Sequence, residues 1–245
     1  NLTMWFLFWV FLGALGRVLA SPARKISIGG SHGSAFGISV FLLFAFVFGL
    51  GLLFTGGKKY AAEIQYFQGV KAAESGDIAG AVSNLLDASR LNPSVDAYYR
   101  DLAQLYLAQI RLALSDQNVS AEQKQEIARV AAANMVDGAT RATALAPENV
   151  ANWNLRGFIY QSLIGSLAGA ENLAVLSYEK AAELEPSSPY SFTELARVYV
   201  LHVQQLGEQG SGKERGEALE RALENLKIAL RLKQDYLPAH YLVAA

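Results

Sequence analysis

Residues 69–93 read GVKAAESGDIAGAVSNLLDASRLNP, and their spacing decides the fold. Gly69, Ala72, Ala81, Leu85, Ala88 and Pro93 mark the pattern. Apolar and small residues at such intervals fall on one face of a helix. The pattern returns further along. Residues 153–160 read WNLRGFIY, which places Trp153, Gly157 and Tyr160, and Ala174, Tyr178, Ala181 and Pro186 complete a second copy. Repetition at a period of tens of residues is the signature of a stacked helical array.

Here the chain resembles the tetratricopeptide repeat (TPR), a pair of antiparallel helices with a period of about 34 residues. The resemblance implies a large residue, a Gly or Ala and a Tyr on helix A, small and aromatic residues on helix B, and a closing Pro. The physical basis is close approach. Small residues at Gly69, Ala81, Ala88, Gly157, Ala174 and Ala181 let two helices meet, and larger ones fill between them. Proline then stops helix B.

Four units can be laid down. The first covers about 62–95. The second pairs Tyr99, Ala103 and Tyr106 with Met135, Ala139, Ala142 and Pro147, and the third is 150–188. The fourth pairs Phe192, Ala196 and Tyr199 with Ala222, Leu226 and Ala229, and a fifth begins near Leu237. Extra residues between Tyr106 and Met135 predict two long helices, about 95–114 and 121–145. Ser120 with Gln123 forms a capping box, and Ser211 with Glu214 marks another start. Ser188 reads as a cap before Pro189. Gln234 stands where the last Pro would be.

Upstream of the repeats the material changes. Residues 1–59 hold five cations (Arg17, Arg24, Lys25, Lys58, Lys59) and no acid; residues 60–245 hold 16 cations and 22 acids, a net −6. Leu2–Ala20 is apolar except for Thr3 and Arg17, and Ala35–Thr55 carries no charge. Each run is about the 20 residues a helix needs to cross hydrocarbon roughly 30 Å thick, and in lipid the backbone must satisfy itself within the helix. The first run lacks the basic start of a signal peptide. Trp5 and Trp9 suit an interface, and Ala45 with Gly49 is a small pair suited to helix contact. The polar segment 21–34 makes the two runs a hairpin. The expected class is all-α: two transmembrane helices (1–57), then a TPR-like α-solenoid of about four helix pairs (58–245).

Arg17, Arg24 and Lys25 outnumber Lys58 and Lys59, so the positive-inside rule places the repeats outside the cytoplasm. Asn1 is no initiator, which reads as a processed product or the tail of a longer protein. The combination of spans, the GGKKYAAEIQYF junction and the repeats resembles the C-terminal region of bacterial O-antigen ligase or polymerase-like membrane proteins. That resemblance implies a bacterial inner-membrane parent acting in cell-envelope polysaccharide transfer, with its catalytic loops upstream.

Catalytic patterns are weak. Without Cys there is no thiol nucleophile, disulfide or Cys-ligated metal. Gly207-x₄-Gly212-Lys213 has the look of a phosphate loop, but Glu214 replaces the Ser or Thr that would hold magnesium. His32, His202 and His240 lack metal-ligand spacing, and no basic surface suits nucleic acid. The expectation is no enzyme, no cofactor and no metal in this chain. Asn118-Val119-Ser120 fits a glycosylation sequon.

The functional candidate is a surface. The TPR resemblance implies an inner face built from the A helices. It selects Tyr66 and Val70, Arg100 and Gln104, Asn154, Phe158 and Gln161, and Tyr190, Thr193 and Arg197 as a partner-binding groove. The carboxylate clamp of some family members is not evident: Tyr66, Asp101 and Leu155 stand at positions matching it. The expected function is a membrane-anchored interaction module that recruits a protein or peptide partner at the lipid bilayer. The alternative is the tail of the polysaccharide-transfer enzyme.

Overall fold

A computed structural model describes residues 9–11, 13, 17, 32–207 and 211–244. They divide into two compact units, Asn1–Thr55 and Gly56–Ala245. The helices are α1 (His32–Glu74), α2 (Ile78–Leu91), α3 (Asp96–Ser115), α4 (Ala121–Leu145), α5 (Val150–Ser162), α6 (Ala170–Leu184), α7 (Pro189–Leu206), α8 (Gly212–Leu232) and α9 (Leu237–Ala244). No strand occurs among the described residues.

In the first unit, Trp9, Val10, Phe11, Gly13 and Arg17 are helical; the rest of the expected span Leu2–Ala20 lies outside the described residues. So does most of the expected loop, but α1 begins at His32, inside the segment read as loop. No Pro stands there to stop it. One helix among the described residues is long and apolar enough to cross a membrane, where two were expected. Its side chains at Phe41, Phe44, Phe46 and Phe48 are exposed.

The second unit is a run of helix pairs. α3 packs on α4, α5 on α6 and α7 on α8, and α9 adds to α7 and α8. The expected small residues sit at the contacts: Ala81, Ala88, Ala103, Ala139, Ala142, Ala174, Ala181, Ala196 and Ala229 are all buried. Large side chains fill the gaps they leave. Leu85 and Leu102 share a cluster with Tyr66, Met135 and Ile159 share one with Ala103, and Tyr178 packs with Leu195 and Val198. Gly157 faces the Tyr178 ring so closely that a Cβ there would lie 2.7 Å from it. At Gly138 the obstacle is main chain: a Cβ would stand 2.9 Å from the Tyr99 carbonyl oxygen.

Helix ends follow local chemistry. Ser120 Oγ accepts from the Gln123 N–H at 3.3 Å, and the Gln123 side chain accepts from the Ser120 N–H at 3.1 Å, a complete capping box. Ser211 accepts from the Glu214 N–H at 3.1 Å. Ser188 is a correction: it holds the cap position of α7, but its side chain makes no capping bond, and Pro189 alone sets the start. Between α8 and α9 the missing Pro is replaced by a turn in which the Tyr236 N–H donates to the Lys233 carbonyl.

Polar bonds tie one repeat to the next at separations near one period. Tyr98 donates to Glu63 and Tyr66 donates to Asp101, both at 2.7 Å. Ser191 donates to Asn154 at 3.1 Å. Burial pushes the Asp96 carboxyl up. Bonds from Asn152 (2.8 Å) and Asn149 (2.9 Å), the Arg100 charge and the Ala97 N–H outweigh burial and hold it below its ordinary value.

This packing can be tested at two glycines and one carboxylate. Gly138→Ala should lower stability by about 1–3 kcal/mol, because main chain must move to admit the methyl. Gly216→Ala, in a helix with open space around it, should raise stability by up to about 1 kcal/mol. Urea midpoints read both, and a loss at Gly216 equal to that at Gly138 would contradict the packing. Asp96 has a lowered folded pKa, so its contribution is present above the ordinary carboxylate value of about 3.9 and is lost as pH falls through the folded value. The stability gap between the parent chain and Asp96→Asn should therefore close on acidification; a gap constant from pH 7 to pH 2 would refute it.

Candidate functional site

Three A helices bring side chains to one groove of about 700 Å³ in the second unit. α3 supplies Gln104, Leu107, Ala108 and Arg111; α5 supplies Ala151, Asn154, Leu155 and Phe158; α7 supplies Tyr190. The spacing within α3 and α5 is that of one helix face, two turns long. Leu107, Leu155 and Phe158 are half-buried and make apolar walls. The small Ala108 and Ala151 leave the room between them.

The polar groups in this groove are unequally engaged. Asn154 accepts from Ser191 through Oδ1, which fixes the amide and leaves Nδ2 as a donor. Gln104 and Arg111 are exposed, and neither is bonded to a side chain among the described residues. Arg111 is the one charged residue lining the groove, and no acid lines it. Tyr190 is held protonated: burial pushes its pKa up, with the Glu194 and Tyr236 charges adding to the effect and Arg197 opposing it. The groove thus offers donors beside apolar walls.

Of the residues expected at the groove, the structure gathers Gln104, Asn154, Phe158 and Tyr190. The others lie elsewhere. Tyr66 bonds Asp101 and stacks on Tyr98 with ring centroids 5.0 Å apart. Arg100 lies 3.4 Å from Asp101 and 3.7 Å from Asp96 on its own helix, and 3.5 Å from Asn152 Oδ1 on α5, so its charge is paired within α3 and one contact reaches the next repeat. Gln161 accepts from the Tyr178 hydroxyl at 2.8 Å, bridging α5 to α6. Arg197 pairs with Glu194 on its own helix at 3.0 Å. Val70 is half-buried on α1, and Thr193 is fully buried, donating to the Pro189 carbonyl. Leu107, Ala108, Arg111, Ala151 and Leu155 were not anticipated. Their signal was the i, i+3, i+4, i+7 series starting from Gln104 and from Ala151.

Other chemistry is sparse. Among the described residues no group of three or more metal-ligating side chains gathers. His202 lies 2.6 Å from Glu171 and 3.9 Å from Glu214, joining α6, α7 and α8. His240 contacts the Gln234 carbonyl at 2.7 Å. The Gly-rich segment before Lys213 follows α7 rather than a strand, and α8 begins within it at Gly212.

No known protein-family pattern and no curated protein matches the chain. Solved structures do resemble it. TTC0263, a thermophilic TPR protein of Thermus thermophilus, aligns with a TM-score of 0.52 and 21% identity over 86% of this chain and 94% of its own. The TPR domain of Arabidopsis OM64 aligns at 0.44 and 20% identity over 58% of this chain and 96% of its own. YrrB, described as a TPR protein with an unusual peptide-binding site, aligns at 0.38 and 14% identity over 74% and 91%. The chain has the fold of tetratricopeptide-repeat proteins.

Proposed function

We propose that the repeats form a protein-interaction module. The α3–α5–α7 groove takes an extended segment of a partner protein, one that carries an acidic side chain beside apolar ones. The observation that supports this reading is the match of unengaged donors to apolar walls. Arg111, Gln104 and Asn154 Nδ2 are available, and Leu107, Leu155 and Phe158 lie beside them. A carboxylate gains a charge-assisted bond from a guanidinium, and apolar side chains gain by leaving water. An extended peptide exposes alternate side chains and unpaired main-chain groups that a mixed groove of this kind can satisfy.

The second half of the proposal concerns place. The charge-free run 35–55 lies in a helix whose apolar side chains at Phe41, Phe44 and Phe48 are exposed, which fits a bilayer anchor. The cation balance favours the repeats on the outer side of a bacterial inner membrane, recruiting their partner there.

Selection of peptides from a displayed library against the full chain in detergent tests the groove. Enriched sequences should pair Asp or Glu with Leu, Ile or Phe. Arg111→Ala and Phe158→Ala should each weaken binding roughly tenfold, a typical loss for a central contact. Arg100→Ala should leave affinity in place and lower stability instead, because the guanidinium is paired with Asp96 and Asp101 on its own helix and reaches Asn152 on α5. Enrichment indifferent to both Arg111→Ala and Phe158→Ala would overturn the assignment. For the anchor, alkaline carbonate should leave the full chain in the membrane pellet and detergent should release it; release by carbonate alone would remove the anchor.

A further inference from the structure

We propose that Arg156, held between Trp153 and Tyr160, recognises a carboxylate side chain of a partner protein, on the face of α5 turned away from the groove. Trp153, Arg156 and Tyr160 lie about half a helical turn from Ala151, Asn154, Leu155 and Phe158, so one helix presents two separate faces.

The site interrupts a rule that the other repeats keep. Counted from the first residues of α3, α5 and α7, the fourth, seventh, eighth and eleventh positions are equivalent. They read Tyr99, Leu102, Ala103 and Tyr106 in α3, and Phe192, Leu195, Ala196 and Tyr199 in α7. In α5 they read Trp153, Arg156, Gly157 and Tyr160. The shared pattern is aromatic, leucine, small, aromatic. Leu102 and Leu195 are core residues, 3% and 4% exposed. Arg156 stands in the place of that leucine and is half-buried. A leucine gains by leaving water there, whereas a guanidinium loses hydration that a partner must replace.

The chain supplies only part of that replacement. The guanidinium lies 5.3 Å from the Trp153 ring centre and 5.6 Å from that of Tyr160, and both ring faces attract a cation. Nη1 donates to Thr143 Oγ1 at 3.4 Å, a long bond that is released at little cost. Nε is the one buried side-chain nitrogen or oxygen among the described residues without a hydrogen-bond partner. Arg90, Arg100, Arg129, Arg141 and Arg197 each pair with an acid; among the described residues no carboxylate pairs with Arg156. The rings thus fix a cation whose hydrogen-bonding edge lacks an acceptor. Once the side chain swings off Thr143, its Nε and Nη2 can hold one carboxylate through two parallel charge-assisted bonds.

The charges at the rim favour a carboxylate over a phosphate. Counted back from Pro186 and Pro147, Lys180 of α6 takes the position from which Arg141 of α4 reaches the Tyr99 ring. Lys180 is already held by Glu183 at 2.9 Å, with Glu148 adding to the attraction. Lys180, Glu183 and Glu148 are all exposed, where salt screens them. They leave Arg156 as the single unmatched cation, with two acids at the rim. One negative charge balances it. A phosphate with nearly two charges would leave one uncompensated beside those acids. Leu176, 59% exposed on α6, extends the apolar surface that Trp153 begins, which suits a carboxylate flanked by apolar side chains.

Trp153 reports on the site directly. The chain has three Trp, so Trp5→Phe and Trp9→Phe leave Trp153 as the only indole. The full chain with these two changes, in detergent at fixed ionic strength, is titrated with three probes: acetyl-Leu-Glu-Leu-amide, its glutamine counterpart acetyl-Leu-Gln-Leu-amide, and inorganic phosphate. The glutamyl peptide should shift the Trp153 emission saturably, and the glutaminyl peptide should not. Arg156→Leu should weaken the glutamyl response roughly tenfold or more, and Arg111→Ala, in the groove on the opposite face, should leave it unchanged. Because leucine is the residue of the equivalent positions, Arg156→Leu without peptide should have a urea midpoint at or above that of the parent. The absence of a saturable glutamyl response, or one that survives Arg156→Leu, would overturn the proposal. So would phosphate binding as tightly as the glutamyl peptide, which would make the site a phosphate site, and so would a lowered midpoint for Arg156→Leu, which would make the arginine a packing residue.

Discussion

The repeats depend on how closely an A helix can approach its B helix. At Gly157 the Tyr178 ring occupies the space a methyl would need, and at Gly138 a backbone carbonyl does. Ala103, Ala139, Ala174 and Ala181 repeat the theme with zero to one per cent exposure. Residues this small contribute little apolar area themselves. Their effect is indirect, since they let Tyr98, Tyr178, Met135 and Ile159 reach full burial in the layers between. The pattern that allows the approach therefore also sets which large side chains form the core and which are left on the surface.

Once the pairs form, the direction of stacking is held by polar bonds at about one repeat's separation. Tyr66 to Asp101, Tyr98 to Glu63 and Ser191 to Asn154 all cross from one A helix to the next. Several of the charged and amide groups on the A helices are used in this way or within one repeat. Arg100 lies between Asp96, Asp101 and Asn152, while Gln161 belongs to the contact with α6. The groove is built from what the stack does not use: Gln104, Arg111 and one nitrogen of Asn154, set among half-buried apolar side chains. The stack and the groove thus draw on one set of A-helix residues, divided by whether a neighbouring group in the chain supplies a partner.

That division explains how far the sequence could be read. The helices were legible because they rest on local signals: the small-residue period, the Ser120–Gln123 capping box and Pro189 at a helix start. The two long helices of the second unit came out at Asp96–Ser115 and Ala121–Leu145, close to their expected limits. The groove was legible in part. Gln104, Asn154, Phe158 and Tyr190 were placed by the family's positional pattern. That pattern could not show that Arg100 would meet Asn152, 52 residues away, and it selected no position as far along the expected helix as Arg111, which lines the groove. Ser188 shows the same limit at short range, since a residue can hold the cap position and still direct its hydroxyl elsewhere.

The central claim is that close helix pairing in the second unit presents α3, α5 and α7 as one surface. Amide hydrogen exchange of the full chain in detergent tests it most directly, because slow exchange requires helices that are packed rather than merely formed. The account predicts the slowest amides around Ala103, Ala139, Ile159, Tyr178 and Ala196, at the buried meeting points of successive pairs. Fast exchange throughout Ala121–Leu145, with α3 unprotected on the side that faces it, would show that the lengthened second pair is not closed and that the groove lacks its wall.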